Sequence, residues 1–212
     1  MKRRPIAAIL NTRNAGGNPA RLRWIAAAVP ADAKAGDAVI DNVEGVNNVK
    51  VLVAYTSRTG NTKKIAETIF QEVRAEKEIK PLSEVTCLDG YDLAFIGLPI
   101  EMFGPAKEAK AFLEAHSAGN RIALFMTHAA PEDSELVPAC LDQCKEAAAK
   151  SNLVGLFDCQ GELGQSTKMA MLNSGVPELR AWAEMDNSQG QPDATRLERA
   201  RAFAREIMAR VG

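Results

Sequence analysis

The sequence predicts an α/β fold: a doubly wound parallel sheet of five strands in the order 2-1-3-4-5, with helices on both faces. Two observations lead there. Short apolar runs have the continuous character of strands buried on both faces, and amphipathic helical patterns alternate with them. Such alternation implies right-handed crossovers, which lay the strands parallel. In this order the sheet reverses between its first and third strands, so a crevice opens at their carboxyl ends.

The elements follow in turn. The run "VKVLVAY" (49–55) is the first strand and "NTKKIAETIFQEVRAE" (61–76) the helix after it. A weaker run, "EVTCL" (84–88), is the second strand. The third and fourth are "YDLAFIG" (91–97) and "RIALFMT" (121–127), followed by helices in "PAKEAKAFLEAH" (105–116) and "LVPACLDQCKEAAAKS" (136–151). The fifth is "LVGLFD" (153–158). In the closing helix (193–211), Leu197, Ala200, Phe203, Ala204, Ile207, Met208 and Val211 repeat at helical spacing behind an Asp193 cap and Pro192. The stretch 160–191 is longer than a simple strand-to-helix link and contains "ELRAWAEM", a short helix bearing Trp182. It covers the crevice, offers a docking surface, or packs Trp182 on the flank of the sheet.

Composition bounds the class. The 212 residues are 46% apolar, enough for one core, and carry a formal net charge of -1, which exerts no general pull on nucleic acid or anionic membrane. No apolar run approaches the roughly 18 residues that span a bilayer. The four cysteines (Cys87, Cys140, Cys144, Cys159) show neither a secreted disulfide framework nor paired zinc-type spacing, so a cytoplasmic protein is expected. Cys140 and Cys144 share an apolar stripe with Val137, Leu141 and Ala148, and Cys159 ends the fifth run. All three read as buried thiols, with a redox or metal pair the alternative for Cys140 and Cys144.

Residues 1–48 form an N-terminal extension distinct from the domain at 49–212. Up to Pro30 it carries six basic residues and no acid, then turns acidic and rich in small residues. Its one weak helical piece is "ARLRWIAAAV". An export signal is disfavoured because the apolar run is short and "NTRNAGGN" breaks it. A disordered or weakly structured tail is expected, or a start codon placed too far upstream.

The chemistry concentrates in "AYTSRTGNTKKIAE" (54–67). Thr56, Ser57, Thr59 and Thr62 supply hydroxyl donors, Gly60 permits a tight turn, and Asn61 is placed to cap the helix. With the backbone N–H groups of the helix start, they surround an anion by neutral donors. A Walker loop needs G-K-[ST] where this chain has Gly60-Asn61-Thr62, and a dinucleotide fingerprint needs three glycines where this loop has one. The competing reading is an ordinary Ser/Thr-rich turn.

"TSRTGNT" after an apolar strand resembles the FMN phosphate loop of the flavodoxin family, whose pattern is close to [ST]-x-T-G-N-T. The segments "YDLAFIGLPIEMFGPAKEAKAFLEAH", "RIALFMTHAAPED", "LFDCQGEL" and "QPDATRLERARAFARE" resemble corresponding segments of that family in order, so the likeness spans about residues 49–212. It implies a flavodoxin-like three-layer fold. It also implies that Thr56, Ser57, Thr59, Asn61 and Thr62, with backbone groups of Arg58 and Gly60, hold the phosphate of FMN. Arg58 replaces a commoner neutral residue and is directed either to the phosphate or to solvent.

The resemblance places two further loops at the crevice. In "LPIEMFGP", Pro99, Ile100, Met102 and Phe103 form an apolar wall for the flavin ring, and Glu101 sits beside it or in solvent. Gly104 is the candidate for the reorienting peptide that hydrogen-bonds the reduced ring in flavodoxins. In "THAAPED", backbone groups of Thr127, His128 and Ala129 reach the polar edge of the ring, while the His128 side chain is a surface residue, a ring contact or a proton donor. Flavodoxins commonly sandwich the ring between Trp and Tyr, yet these loops hold only Phe103, which implies a more weakly held and more open ring.

The function expected first is therefore an FMN-binding redox protein that passes electrons between a reductase and an acceptor enzyme, without nucleic-acid or membrane partners. The alternatives are an NAD(P)H-dependent FMN or quinone reductase and a binding module that has lost its cofactor. Residues 49–212 hold 19 basic and 23 acidic residues, an imbalance too mild to choose between carrier and reductase.

Overall fold

A computed structural model describes residues 49–211 of the chain. The extension expected at 1–48 lies outside the described residues. Strand β1 (Lys50–Tyr55) leads through α1 (Asn61–Glu72) to β2 (Glu76–Pro81) and a 3-10 turn, then to β3 (Leu93–Glu101), which folds back on the two-residue β4 (Gly104–Pro105). The chain continues through α2 (Lys107–His116), β5 (Arg121–His128), α3 (Leu136–Ala147) and β6 (Asn152–Gln160). It ends with α4 (Gln165–Leu172), α5 (Pro177–Glu184) and α6 (Ala194–Val211).

The parallel strands lie in the order β2-β1-β3-β5-β6, which is 2-1-3-4-5 when β4 is set aside as the antiparallel partner of β3. Side chains alternate between the two faces, as the pleat requires. Val51, Val53, Leu93, Phe95, Ala123 and Phe125 pack with α1 and α6. Leu52, Ala54, Ala94, Ile96, Ile122, Leu124 and Met126 pack with α2 and α3 on the other face. Phe203 of α6 joins the layers, with its ring edge-on to Phe95 at 6.0 Å and stacked on Phe157 at 5.6 Å. Asp193 caps α6 as expected, its Oδ1 accepting the Arg196 N–H at 3.0 Å.

The second strand is the one element the sequence misplaces. The strand is "EKEIKP" (Glu76–Pro81), not the run at 84–88. An edge strand needs little apolar character, and a charged edge discourages pairing with another chain. Here Lys50 pairs with Glu76 at 3.4 Å and with Glu78 at 3.2 Å, and the Tyr91 hydroxyl donates to Glu78 at 3.0 Å. Lys80 also pairs with Glu78, and these cations and the hydroxyl hold the Glu78 carboxyl down at about 2. Val85 and Leu88 pack against the core from a loop instead.

Between β6 and α6 the chain makes two further helices, α4 and α5, on the carboxyl side of the sheet's edge strand. Among the described residues no helix is long and apolar enough to cross a membrane.

Gly97 of β3 lies opposite Phe125 of β5, and a Cβ there would stand 2.1 Å from the phenyl ring. The ring is fully buried and has nowhere to go. Gly97→Ala is expected to lower stability by about 2 kcal/mol through overpacking, read as a lower denaturant midpoint at unchanged slope.

Candidate functional site

The three loops that leave the carboxyl ends of β1, β3 and β5 meet at the reversal of the sheet. The first continues the ladder by one bond, the Thr56 N–H donating to the Gly97 carbonyl at 2.9 Å. It then turns through Gly60, whose φ of 99° is left-handed. Ser57 braces the turn by accepting the Gly60 N–H on its Oγ at 3.1 Å, and its own proton stays free to donate. No side chain caps α1, and no acid occupies its first turn, so its leading N–H groups face the loop mouth.

The hydroxyls divide into two pairs. Thr56 donates to Glu108 at 3.2 Å, and Thr62 is buried with its Oγ1 2.8 Å from that of Thr127. Ser57 and Thr59 remain at the mouth. Asn61 does not cap the helix as expected: it is the first helical residue, and its Nδ2 donates to the Glu162 carbonyl at 2.8 Å. The amide thus ties the loop to the end of β6. Thr59 and Asn61 open onto a cleft of about 290 Å³ whose far side is Glu162 to Gln165.

Neither lysine of the first turn serves that mouth. Lys63 lies 3.8 Å from Glu67, and the Lys64 Nζ donates to the Pro192 carbonyl at 2.7 Å. Arg58 is exposed, and its guanidinium is tethered to two carboxylates. Its Nε is 2.8 Å from Glu101, and a terminal nitrogen is 3.0 Å from Glu108. Its hydrogen bond to Glu101, then the charges of Glu101 and Glu108, raise the guanidinium above its ordinary pKa. Exposed pairs of this kind contribute little stability, but this one links the first loop to the second.

The second loop is a tight hairpin between β3 and β4. Met102 (φ 48°) and Phe103 (φ 68°) are both left-handed, the geometry of a type I′ turn that ordinarily selects Asn and Gly. Both side chains stand in solvent, Met102 at 93% exposure and Phe103 at 56%. Pro99 pairs with Thr127 in the sheet, Ile100 packs against the core, and Gly104 is buried in β4. Gln143 of α3 donates its Nε2 to the Phe103 carbonyl at 2.8 Å and holds the peptide before Gly104.

The third loop begins at His128. The ring is not a surface group: it is buried, with Nδ1 2.9 Å from the Ala130 carbonyl and Nε2 3.2 Å from Asp158. Both nitrogens are engaged, so the imidazole braces the loop. The His128 carbonyl accepts the Gly161 N–H at 2.8 Å, and the Ala129 carbonyl accepts Gln160 Nε2 at 3.2 Å.

The model of the flavodoxin domain family matches residues 52–205. The chain belongs to this family. This flavodoxin-domain chain is similar to the "Flavodoxin-like domain-containing protein BilS" of Clostridioides difficile (strain CD3), 32% identical over 171 residues that cover 76% of this chain and 97% of the relative. Among solved structures it resembles oxidised flavodoxin 2 from Bacillus cereus, with 20% identity, TM-score 0.51, and coverage of 76% of this chain and 99% of that one. A flavodoxin from the domain Archaea gives 14% identity, TM-score 0.50, and coverage of 77% and 99%. These likenesses show the fold.

Of four contacts in this flavodoxin domain, three carry no clear mark in the sequence, Glu108 on Arg58, Gln143 on Phe103 and Glu162 on Asn61, and the fourth is the approach of Trp182 to the third loop. The last had a signal in the unusual length of 160–191. Trp182 of α5 lines a groove with Ala129 and Pro131, so the segment borders the crevice loops. The thiols behave as expected. Burial pushes Cys144 and Cys159 up to about 12, and both are inert core groups.

Glu132 anchors the third loop. Its oxygens take Arg196 Nε at 2.9 Å, Arg199 at 2.6 Å and the Gln160 N–H at 3.2 Å. Burial pushes its carboxyl up, but the Arg199 hydrogen bond, the Gln160 N–H and the two arginine charges outweigh it and leave the pKa lowered. A lowered carboxyl stabilises the fold above its unfolded pKa, and that contribution disappears as the pH falls through the folded value. Glu132→Gln is expected to flatten the loss of stability on acidification below about pH 4.5, measured by denaturation across pH.

The buried Thr62–Thr127 pair gives a second test. Thr62→Val strands the Thr127 hydroxyl and is expected to cost about 1 to 3 kcal/mol. Adding Thr127→Val restores much of that loss, and the coupling is read from a double-mutant cycle in denaturant.

Proposed function

We propose that this chain is an FMN-binding redox protein that carries electrons between a reductase and an acceptor enzyme. The observation that supports it most is the loop mouth: an uncapped helix start behind left-handed Gly60, with the Ser57 proton and the Thr59 hydroxyl free to donate and Arg58, Lys63 and Lys64 engaged elsewhere.

That donor set fits a phosphate. Backbone N–H groups and hydroxyls can satisfy several phosphate oxygens, and the positive end of the α1 dipole supplies the charge complement. Ser57 and Thr59 would hold the group, while Asn61, through Glu162, keeps the loop closed around it. The hairpin would set Phe103 and Met102 beside the ring, and the third loop, held by His128 and Glu132, would present its backbone edge. Bound FMN would supply the redox chemistry through its isoalloxazine ring. The intact phosphate loop argues against a module that has lost its cofactor.

The exposed Met102 and Phe103 favour a protein partner at the crevice, because an apolar tip projecting into solvent is suited to a docking surface. The four free cysteines, three of them buried, accord with a reducing cytoplasm.

The purified chain is expected to bind FMN, with quenching of flavin fluorescence on titration. Thr59→Ala and Asn61→Ala should each weaken binding by about 1 to 2 kcal/mol. A chain that stays colourless and leaves FMN fluorescence unchanged overturns the reading. A carrier oxidises NADH only when a reductase is added, whereas rapid NADH oxidation by the chain alone would make it the reductase itself.

A further inference from the structure

Both ring nitrogens of the buried His128 face groups that can only accept. Nδ1 stands 2.9 Å from the Ala130 carbonyl, and Nε2 stands 3.2 Å from the Asp158 carboxylate. A neutral imidazole carries one N–H, so it satisfies one of these oxygens and turns a lone pair on the other. The two bonds form together only in the imidazolium. We propose that His128 and Asp158 are positioning residues that hold the third loop through a proton, clamping it when the ring is charged and loosening it when the ring is neutral. The consequence for the crevice rests on the reading that FMN binds there, since this loop would present its backbone to the ring edge.

What the proton controls is local. Among the described residues the His128 ring is the one partner of the Ala130 carbonyl. On either side the loop is fixed independently: the Ala129 carbonyl accepts from Gln160 at 3.2 Å, and Glu132 holds Arg196 and Arg199. Loss of the ring proton therefore either frees the turn at Ala130 and Pro131 or cuts the side-chain tie from β5 to β6.

The charged groups around the ring come from several elements. Strand β6 supplies Asp158, and Arg199 of α6 donates to the Asp158 backbone carbonyl at 3.4 Å. Glu132 of the loop and Asp193 ahead of α6 balance Arg196 and Arg199. Helix α3 packs on the sheet face that holds Leu124 and Met126, which the alternation of the strand extends to His128. Its buried titratable groups are the Cys140 and Cys144 thiols, both pushed up by burial, Cys144 to about 12, and so uncharged. Asp158 is left as the carboxylate that answers the ring.

The test turns on Asp158→Asn. The substitution keeps the shape of the side chain and the Arg199 contact, which goes to the backbone, but its amide can donate to Nε2. A neutral ring then satisfies both sides. The chain has two histidines and two tryptophans, so His116→Gln and Trp24→Phe leave His128 and Trp182 as single reporters. Trp182 lines a groove with Ala129 and Pro131, and its emission senses the loop. Without FMN, imidazole nitrogen resonances and Trp182 emission are followed from about pH 5.5 to 9, which brackets the ordinary imidazole titration. Emission is expected to change in one step that tracks loss of the ring proton, and Asp158→Asn should abolish that step. In FMN titrations, affinity relative to the Asp158→Asn chain should fall about tenfold across the same step, a ratio in which the titration of the phosphate itself cancels.

An emission step that survives Asp158→Asn, or a ring that keeps one charge state across the range, overturns the proton clamp. A flat affinity ratio overturns its role at the crevice. Failure of every chain to bind FMN would sink the function proposed above and leave the emission result to decide the clamp, so the two readings fail separately.

Discussion

The central strands have no wet face, and the site follows from that constraint. Val51 to Ala54 of β1 and Ile122 to Met126 of β5 are fully buried, so helices must cover both sides and all polar chemistry is driven to the strand ends. Where the order reverses between β1 and β3, neighbouring connections run to opposite faces and leave a gap. The Thr62–Thr127 bond sits beneath that gap and joins the first turn of α1 to the end of β5. The first and third loops therefore share one rigid floor.

The proposed anion site has no uncommitted cation at its mouth among the described residues. Arg58 is held by two carboxylates, Lys63 lies beside its i+4 glutamate, and Lys64 bonds a carbonyl. What remains is directional: backbone N–H groups and two hydroxyls, whose geometry selects a tetrahedral anion more sharply than a mobile ammonium does. The arginine instead acts as a strap between the first and second loops.

The second loop holds a conformation that its residues do not favour. Left-handed backbone costs a non-glycine residue about 1 to 2 kcal/mol, and Met102 and Phe103 are consecutive. Gln143 from below and the Arg58–Glu101 pair from the side hold the turn in place. The outcome is two exposed apolar side chains at the crevice, in a position that only surrounding structure can maintain.

Much of this was legible in the chain. Continuous apolar runs announce doubly buried strands, their alternation with helices specifies a parallel sheet, and the polar "TSRTGNT" marks the turn between β1 and α1, because each of these is a local pattern. The second strand was not legible, since an edge strand as polar as Glu76–Pro81 carries no hydrophobic signal. The roles of single side chains were hidden as well: Asn61 could have capped its helix, His128 could have faced water, and Arg58 could have met the anion. Those choices depend on partners 30 to 101 residues away, such as Asp158, Glu101 and Glu162. The sequence by itself determined the layers, the order of the sheet and the place of the loop. Only the tertiary structure decided which polar groups are consumed as braces and which stay free, because a hydrogen bond is assigned by proximity in space and periodicity along the chain carries no record of it.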